Sequence, residues 1–200
     1  MPRATRVEMP PALRARLETL YREPQRHYHS LAHIEALLRW LAHWRDLARA
    51  PQLIEAAIWF HDAVYDTHRD DNEPRSAELA RDELRALAWP QADVARVAAM
   101  VRATQHHAAA VSDADTLLFL DLDLSVLAQR AEVYDAYSAA VRAEFAWVDT
   151  PRYRAGRLRV LRSFVERDAI YRTPAVQAAW EAAARANLAR ELQGLAGHTG

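Results

Sequence analysis

The chain has 200 residues, 51% of them apolar and 26% charged, the balance of an ordinary globular protein of one or two domains. It contains no Cys and no Lys, so all 26 positive charges are Arg, and only four Gly occur, three of them in the last seven residues. Thiolate nucleophiles, disulfides, Cys-based zinc sites, Schiff-base lysines, Walker-type phosphate lysines and Gly-rich nucleotide loops are thereby excluded. A net charge of −1 argues against nucleic acid as the main partner. No apolar run approaches the about 18 residues of a membrane span, and the first residues lack the apolar stretch of a secretory signal. The expected setting is the cytoplasm, with no membrane partner.

Internal Gly is scarce, Ala, Leu and Arg abound, and prolines fall where helices begin or have just ended, so the chain reads as all-α. Pro10 and Pro11 open a short helix to about Tyr21. The segment 22–29 is irregular, and Ser30 then serves as N-cap to a helix whose Leu31, Ile34, Leu37, Leu38 and Leu41 repeat at helical spacing. Pro51 starts a helix that is apolar on nearly every side through Phe60, the pattern of a central, buried element. A polar stretch from Asp66 to Asn72 precedes a helix from about Glu73 to Ala88, and Trp89-Pro90 separates that from one reaching Ala103. Asp113 opens a further helix through Leu127, and another runs from about Ala131 to Trp147. Thr150-Pro151 and Thr173-Pro174 each read as an N-cap followed by Pro at the first helical position. The total is about nine helices in a single domain over 1–193, with a frayed tail at 194–200.

The chemistry concentrates in His and Asp. Nine His are present, His27, His29 and His33 within seven residues and His106 beside His107 in a break between helices. His61-Asp62 closes the apolar helix, where a charged Asp is costly to bury without a cation or a hydrogen-bonded partner. Neighbouring helical side chains point about 100° apart, so this pair embraces an ion only if other helices bring further ligands. His33 shares the apolar stripe of Leu37. Asp123 has Phe119, Leu120, Val126 and Leu127 one turn away, all apolar, whereas Asp121 has Leu117, Leu118, Leu124 and Ser125. Asp123 is the preferred further ligand, with Asp121 left open.

His33, then His61-Asp62, then Asp123 reproduce the His…His-Asp…Asp order of the HD-domain superfamily of metal-dependent phosphohydrolases. The segments Tyr28-His-Ser-Leu-Ala-His33, Asn72-Glu-Pro-Arg-Ser-Ala77, Thr104-Gln-His-His107, Tyr153-Arg-Ala-Gly-Arg157 and Asn187-Leu-Ala-Arg-Glu191 resemble a family of predicted HD phosphohydrolases over nearly the whole chain. The resemblance implies an HD-like helical domain in which His33, His61, Asp62 and Asp123 hold one divalent cation. Mixed His and carboxylate ligation suits Mn, Fe, Co, Ni or Zn better than Ca, with Mg also admitted. His106 or His107 would ligate a second ion, as in binuclear members, or contact phosphate.

The reaction implied is hydrolysis of a phosphate monoester or nucleotide, with Asp62 both ligating the ion and orienting the attacking water. Glu73, at the start of the helix after the metal-binding turn, reads equally as a general base or as an acidic residue suited to a helix N-terminus. His29, His106, His107 and Arg157 are the candidates to neutralise substrate phosphate, Arg157 because a guanidinium binds phosphate in two-pronged fashion. The expected partner is a small phosphorylated, nucleotide-like substrate, with room for a homodimer. The alternative is an HD-fold sensor or partner protein that binds an ion or nucleotide and turns nothing over.

Overall fold

The computed structural model describes residues 9–107 and 113–197. Among them the regular structure is entirely helical: α1 (Pro11–Leu20), α2 (Leu31–His43), α3 (Pro51–Phe60), α4 (Asn72–Ala86), α5 (Gln91–Ala103), α6 (Ala114–Asp123), α7 (Ala131–Glu144), α8 (Thr150–Val165) and α9 (Pro174–Gly197). Short 3-10 turns follow α2 at Arg45–Leu47 and α6 at Leu124–Ala128. No helix among the described residues is long and apolar enough to cross a membrane.

The chain gathers into two compact units, Met1–Leu120 and Asp121–Gly200. In the first, α3 is central and packs against α2, α4 and α5. Leu53, Ile54, Ala56, Ala57, Ile58, Trp59 and Phe60 are all buried, as its all-round apolar sequence requires. Both ends of α3 are held by side chains from other elements. Asp115, in the first turn of α6 and fully buried, accepts hydrogen bonds from the backbone N–H groups of Arg49 (2.7 Å) and Ala50 (3.1 Å) ahead of α3, and from Nη2 of Arg96 at 2.9 Å. These bonds satisfy N–H donors just ahead of the helix, where Pro51 itself has none to offer.

In the second unit, α9 packs on α8 and on the 3-10 turn after α6, which also meets α7. Its apolar core includes Tyr134, Leu161, Tyr171, Val176, Ala184 and Leu188. Asn187 donates from Nδ2 to the carbonyls of Leu127 (2.9 Å) and Gln129 (2.8 Å), satisfying the end of that turn.

Several boundaries differ from the sequence reading, and α7 ends at Glu144 rather than Trp147. The helix opened at Asp113 tightens to 3-10 geometry after Asp123 instead of continuing as α-helix to Leu127. The N-cap of α8 is Asp149, whose Oδ1 accepts from the Arg152 N–H at 2.9 Å, because a carboxylate caps better than the hydroxyl of Thr150. Gly194–Gly197, assigned by sequence to a frayed tail, are the last residues of α9: Ala, Leu, Gln and Glu around Gly194 offset the roughly 1 kcal/mol that one helical Gly costs. Residues 198–200 lie outside the described residues.

Candidate metal centre

The site is built where α3 stops. His61 is its C-cap, and each carbonyl freed at this helix end finds a donor. The Ala57 carbonyl takes the His61 N–H (2.9 Å), that of Trp59 takes the Tyr21 hydroxyl (3.0 Å), and that of Phe60 takes the Ala63 N–H (3.1 Å). The Ile58 carbonyl lies 2.9 Å from Nδ1 of His61. A carbonyl only accepts, so Nδ1 carries a proton, and in the neutral imidazole Nε2 would present its lone pair inward.

That lone pair faces two further ligand atoms. Nε2 of His33, from the buried face of α2, lies 3.3 Å away, and Oδ2 of Asp62 lies 2.9 Å away. His33, His61 and Asp62 together offer three ligand atoms within 4.8 Å of one another. The carboxylate oxygen is also an acceptor, so its approach to Nε2 is repulsive unless a proton or a metal cation sits among the three atoms. A proton on Nε2 of His33 serves only one of the two contacts. Two nitrogens each about 2.05 Å from a tetrahedral ion stand about 3.3 Å apart, so the imidazole pair fits a zinc-sized cation. His33 and His61 are buried, while the Asp62 side chain keeps 14% of its surface exposed, which leaves the group reachable from solvent.

The surroundings are aromatic. The His61 ring meets Phe119 of α6 edge-on at 5.8 Å between centroids. His29 is half-buried, stacks on Tyr65 at 4.4 Å and stands 6.1 Å from the His33 ring, so this expected phosphate contact borders the group of three. Tyr28 leans on both His29 and His33 at 4.9 Å.

The loop after Asp62 is pinned from α4. Ser76, fully buried, accepts from the Val64 N–H (3.0 Å) and donates to the Val64 carbonyl (3.3 Å). Asn72 closes the polar stretch by accepting the Asp66 N–H (3.1 Å) and donating to the Asp66 carbonyl (2.9 Å), as a strand neighbour would. Glu73 lies half-buried in the first turn of α4 behind this clasp.

The remaining candidates stand elsewhere. His106 is exposed and His107 half-buried, and neither belongs to the three-residue group. His107 has φ 44°, the left-handed region a non-Gly residue seldom adopts, and it ends the described part of this segment. Asp121 is occupied in the second unit: its carboxylate accepts the N–H groups of Arg172 (2.9 and 3.1 Å) and Thr173 (2.6 Å), organising the approach to α9. Burial raises its carboxyl against the pull of those bonds. Asp123, two residues on, ends α6 half-buried and one turn beyond Phe119, outside the three-residue group.

Arg157 departs from its expected role. It is buried in the second unit, with Nε and Nη2 forked onto Glu191 (2.8 and 2.9 Å) and Nη1 donating to the Tyr137 hydroxyl (3.2 Å). Glu191 also accepts from Tyr134 and from Ser138 Oγ (2.9 Å). Burial works to raise the Glu191 carboxyl, but the Arg157 fork outweighs it and holds the group below its usual range. The two-pronged geometry that suits phosphate is here used on an internal carboxylate.

Sequence reading missed Arg26, Tyr21 and Tyr65, which surround the turn from behind. Arg26 and Tyr65 lie in irregular segments, and Tyr21 at the very end of α1, where no periodicity marks a side chain as inward-facing. Comparison of the chain with protein-family models, curated proteins and solved structures finds no match.

Proposed function

We propose that the protein is a metal-dependent phosphohydrolase acting on a phosphate monoester or nucleotide, with His33, His61 and Asp62 holding one divalent ion. The observation that carries this reading is the convergence of Nε2 of His33, Nε2 of His61 and Oδ2 of Asp62, three ligand atoms close enough to share one cation. The reaction class comes from the resemblance to HD phosphohydrolases, whose order of His and Asp the chain repeats. The chemistry such an ion supplies is Lewis acidity towards a phosphoryl oxygen and towards water. His61 is kept in the ligating tautomer by the Ile58 carbonyl. Asp62, partly exposed, orients the attacking water; Glu73 accepts its proton, and His29 at the border contacts the phosphate.

A second reading draws on the engagement of Arg157 with Glu191, which withdraws the expected phosphate-binding arginine. In that reading the ion is held by an HD-like binding module without turnover. Phosphate release from a panel of phosphate monoesters and nucleotides, in the presence of Mn, Co, Zn or Mg ions, separates the two. Hydrolysis by the native protein that is lost in His61→Ala supports the enzyme. Metal uptake without turnover on any compound supports the binding module.

A further inference from the structure

Arg26 sits in the irregular segment between α1 and α2, yet its side chain is only 1% exposed. Burying a guanidinium is costly unless each of its donors is matched. Nη1 donates to the carbonyls of Asp62 (2.7 Å) and His29 (3.2 Å), Nη2 to the carbonyl of Ala63 (3.1 Å), and Nε to Glu23 (3.0 Å). The guanidinium also lies over the rings of Tyr21 and Tyr65, at 5.1 and 5.4 Å from their centroids. Three of its four acceptors are main-chain oxygens of the two segments that deliver the candidate ligands: the turn carrying His61-Asp62 and the residue just ahead of Ser30, the N-cap of α2.

Packing alone explains little of this arrangement. An apolar side chain would fill the space between two tyrosine rings without burying a charge, but only a rigid planar fork can fasten both segments at once. The carbonyls of Asp62 and Ala63 lie beyond the end of α3, where no helical N–H reaches them, so their direction depends on the donor supplied from Arg26. The Tyr21 hydroxyl, on the Trp59 carbonyl, steadies the preceding turn of the same helix.

We propose that Arg26 is the positioning residue of the metal centre. By clamping the carbonyls of His29, Asp62 and Ala63 to one guanidinium, it sets the separation between the α2-borne His33 and the His61-Asp62 pair. This rests on the reading of those three residues as metal ligands. A ligand set held at the correct spacing loses less ordering free energy when the ion enters, so loosening the clamp weakens binding although every ligand remains.

Titration of the full-length protein with Co ions, followed by calorimetry well below the melting temperature, tests this on the native chain, Arg26→Lys, Arg26→Gln and His61→Ala. The expected result is loss of uptake in His61→Ala and a roughly 10- to 100-fold weaker Kd in Arg26→Lys, whose ammonium keeps the charge but not the fork. Arg26→Gln is expected to bind at least as weakly. If Arg26→Gln does not fold, Arg26→Lys with a melting temperature near the native one decides alone. A purely structural role lowers the melting temperature and leaves the Kd unchanged, and native Kd values in the folded Arg26 variants overturn the proposal while the metal centre stands. Absence of Co uptake by the native protein overturns the metal centre, and the role of Arg26 with it.

Discussion

Nε2 of His33 and Nε2 of His61 stand 3.3 Å apart although 28 positions separate them in sequence. Such a contact between two imidazoles holds only with a proton or a metal ion at the shared face, and a proton there leaves the Asp62 carboxylate, 2.9 Å from the same nitrogen of His61, to be matched separately. The expectation is one divalent ion per chain, measured by elemental analysis of purified protein. His33→Ala, His61→Ala and Asp62→Ala should each lose it. Added ion should raise the melting temperature of the native protein but not of these variants, by about 2.7 kcal/mol of stability when its free concentration is a hundred times Kd.

The two aspartates of α6 are expected to respond differently to substitution. Asp121→Asn should retain the ion and lose about 1–3 kcal/mol of stability, because a carboxamide keeps only one of the two accepting oxygens and sets an NH2 group in place of the other beside the Arg172 and Thr173 amides. Asp123→Asn, the change at the ligand position that the resemblance implies, should leave the metal-free melting temperature nearly unchanged. Denaturant unfolding and metal content measured on both variants check this, and loss of the ion in Asp121→Asn alone contradicts the assignment.

For Glu73 the expected outcome of Glu73→Gln is retained metal with hydrolysis slowed roughly a hundredfold, the usual contribution of a positioned acid or base. Service at the helix N-terminus alone predicts instead a loss of about 0.3–1 kcal/mol of stability and turnover close to native. Steady-state rates and melting curves of the same variant distinguish the two.

The Arg157–Glu191 pair should govern acid stability. In the unfolded chain the Glu191 carboxyl titrates near its ordinary 4.5, and in the fold it titrates lower. The group therefore stabilises the fold fully above about 4.5, and that contribution is lost as the pH falls through the folded-state value. Replacing both partners, Arg157→Met with Glu191→Gln, should flatten stability against pH below 4.5 relative to the native protein. Arg157→Met alone should cost about 3–5 kcal/mol by stranding a buried carboxylate, and should leave metal content unchanged. Chemical denaturation across pH 3–7 provides the comparison.

The helices were legible in the sequence because each depends on information within one or two turns: Pro51 at a first helical position, the all-round apolar run to Phe60, the stripe of Leu31, Ile34, Leu37 and Leu41. The three residues of the candidate centre were legible for a related reason. A His-Asp pair closing a buried helix and a His on a buried helical face are polar groups in places where burial is costly, and that cost shows locally. What sequence left open were choices between chemically equal residues whose partners are far along the chain. Asp121 and Asp123 both sit among leucines; only the fold reveals that the amides of Arg172 and Thr173 occupy the first. Arg157 and Arg26 are both arginines; the sequence reading offers Arg157 to phosphate for its guanidinium chemistry and assigns Arg26 no role. Tertiary structure commits Arg157 to Glu191, 34 positions away, and sets Arg26 against the carbonyls of Asp62 and Ala63, 36 and 37 positions away. A guanidinium takes its role from whichever acceptors surround it, and those are chosen by packing, which has no period in the sequence.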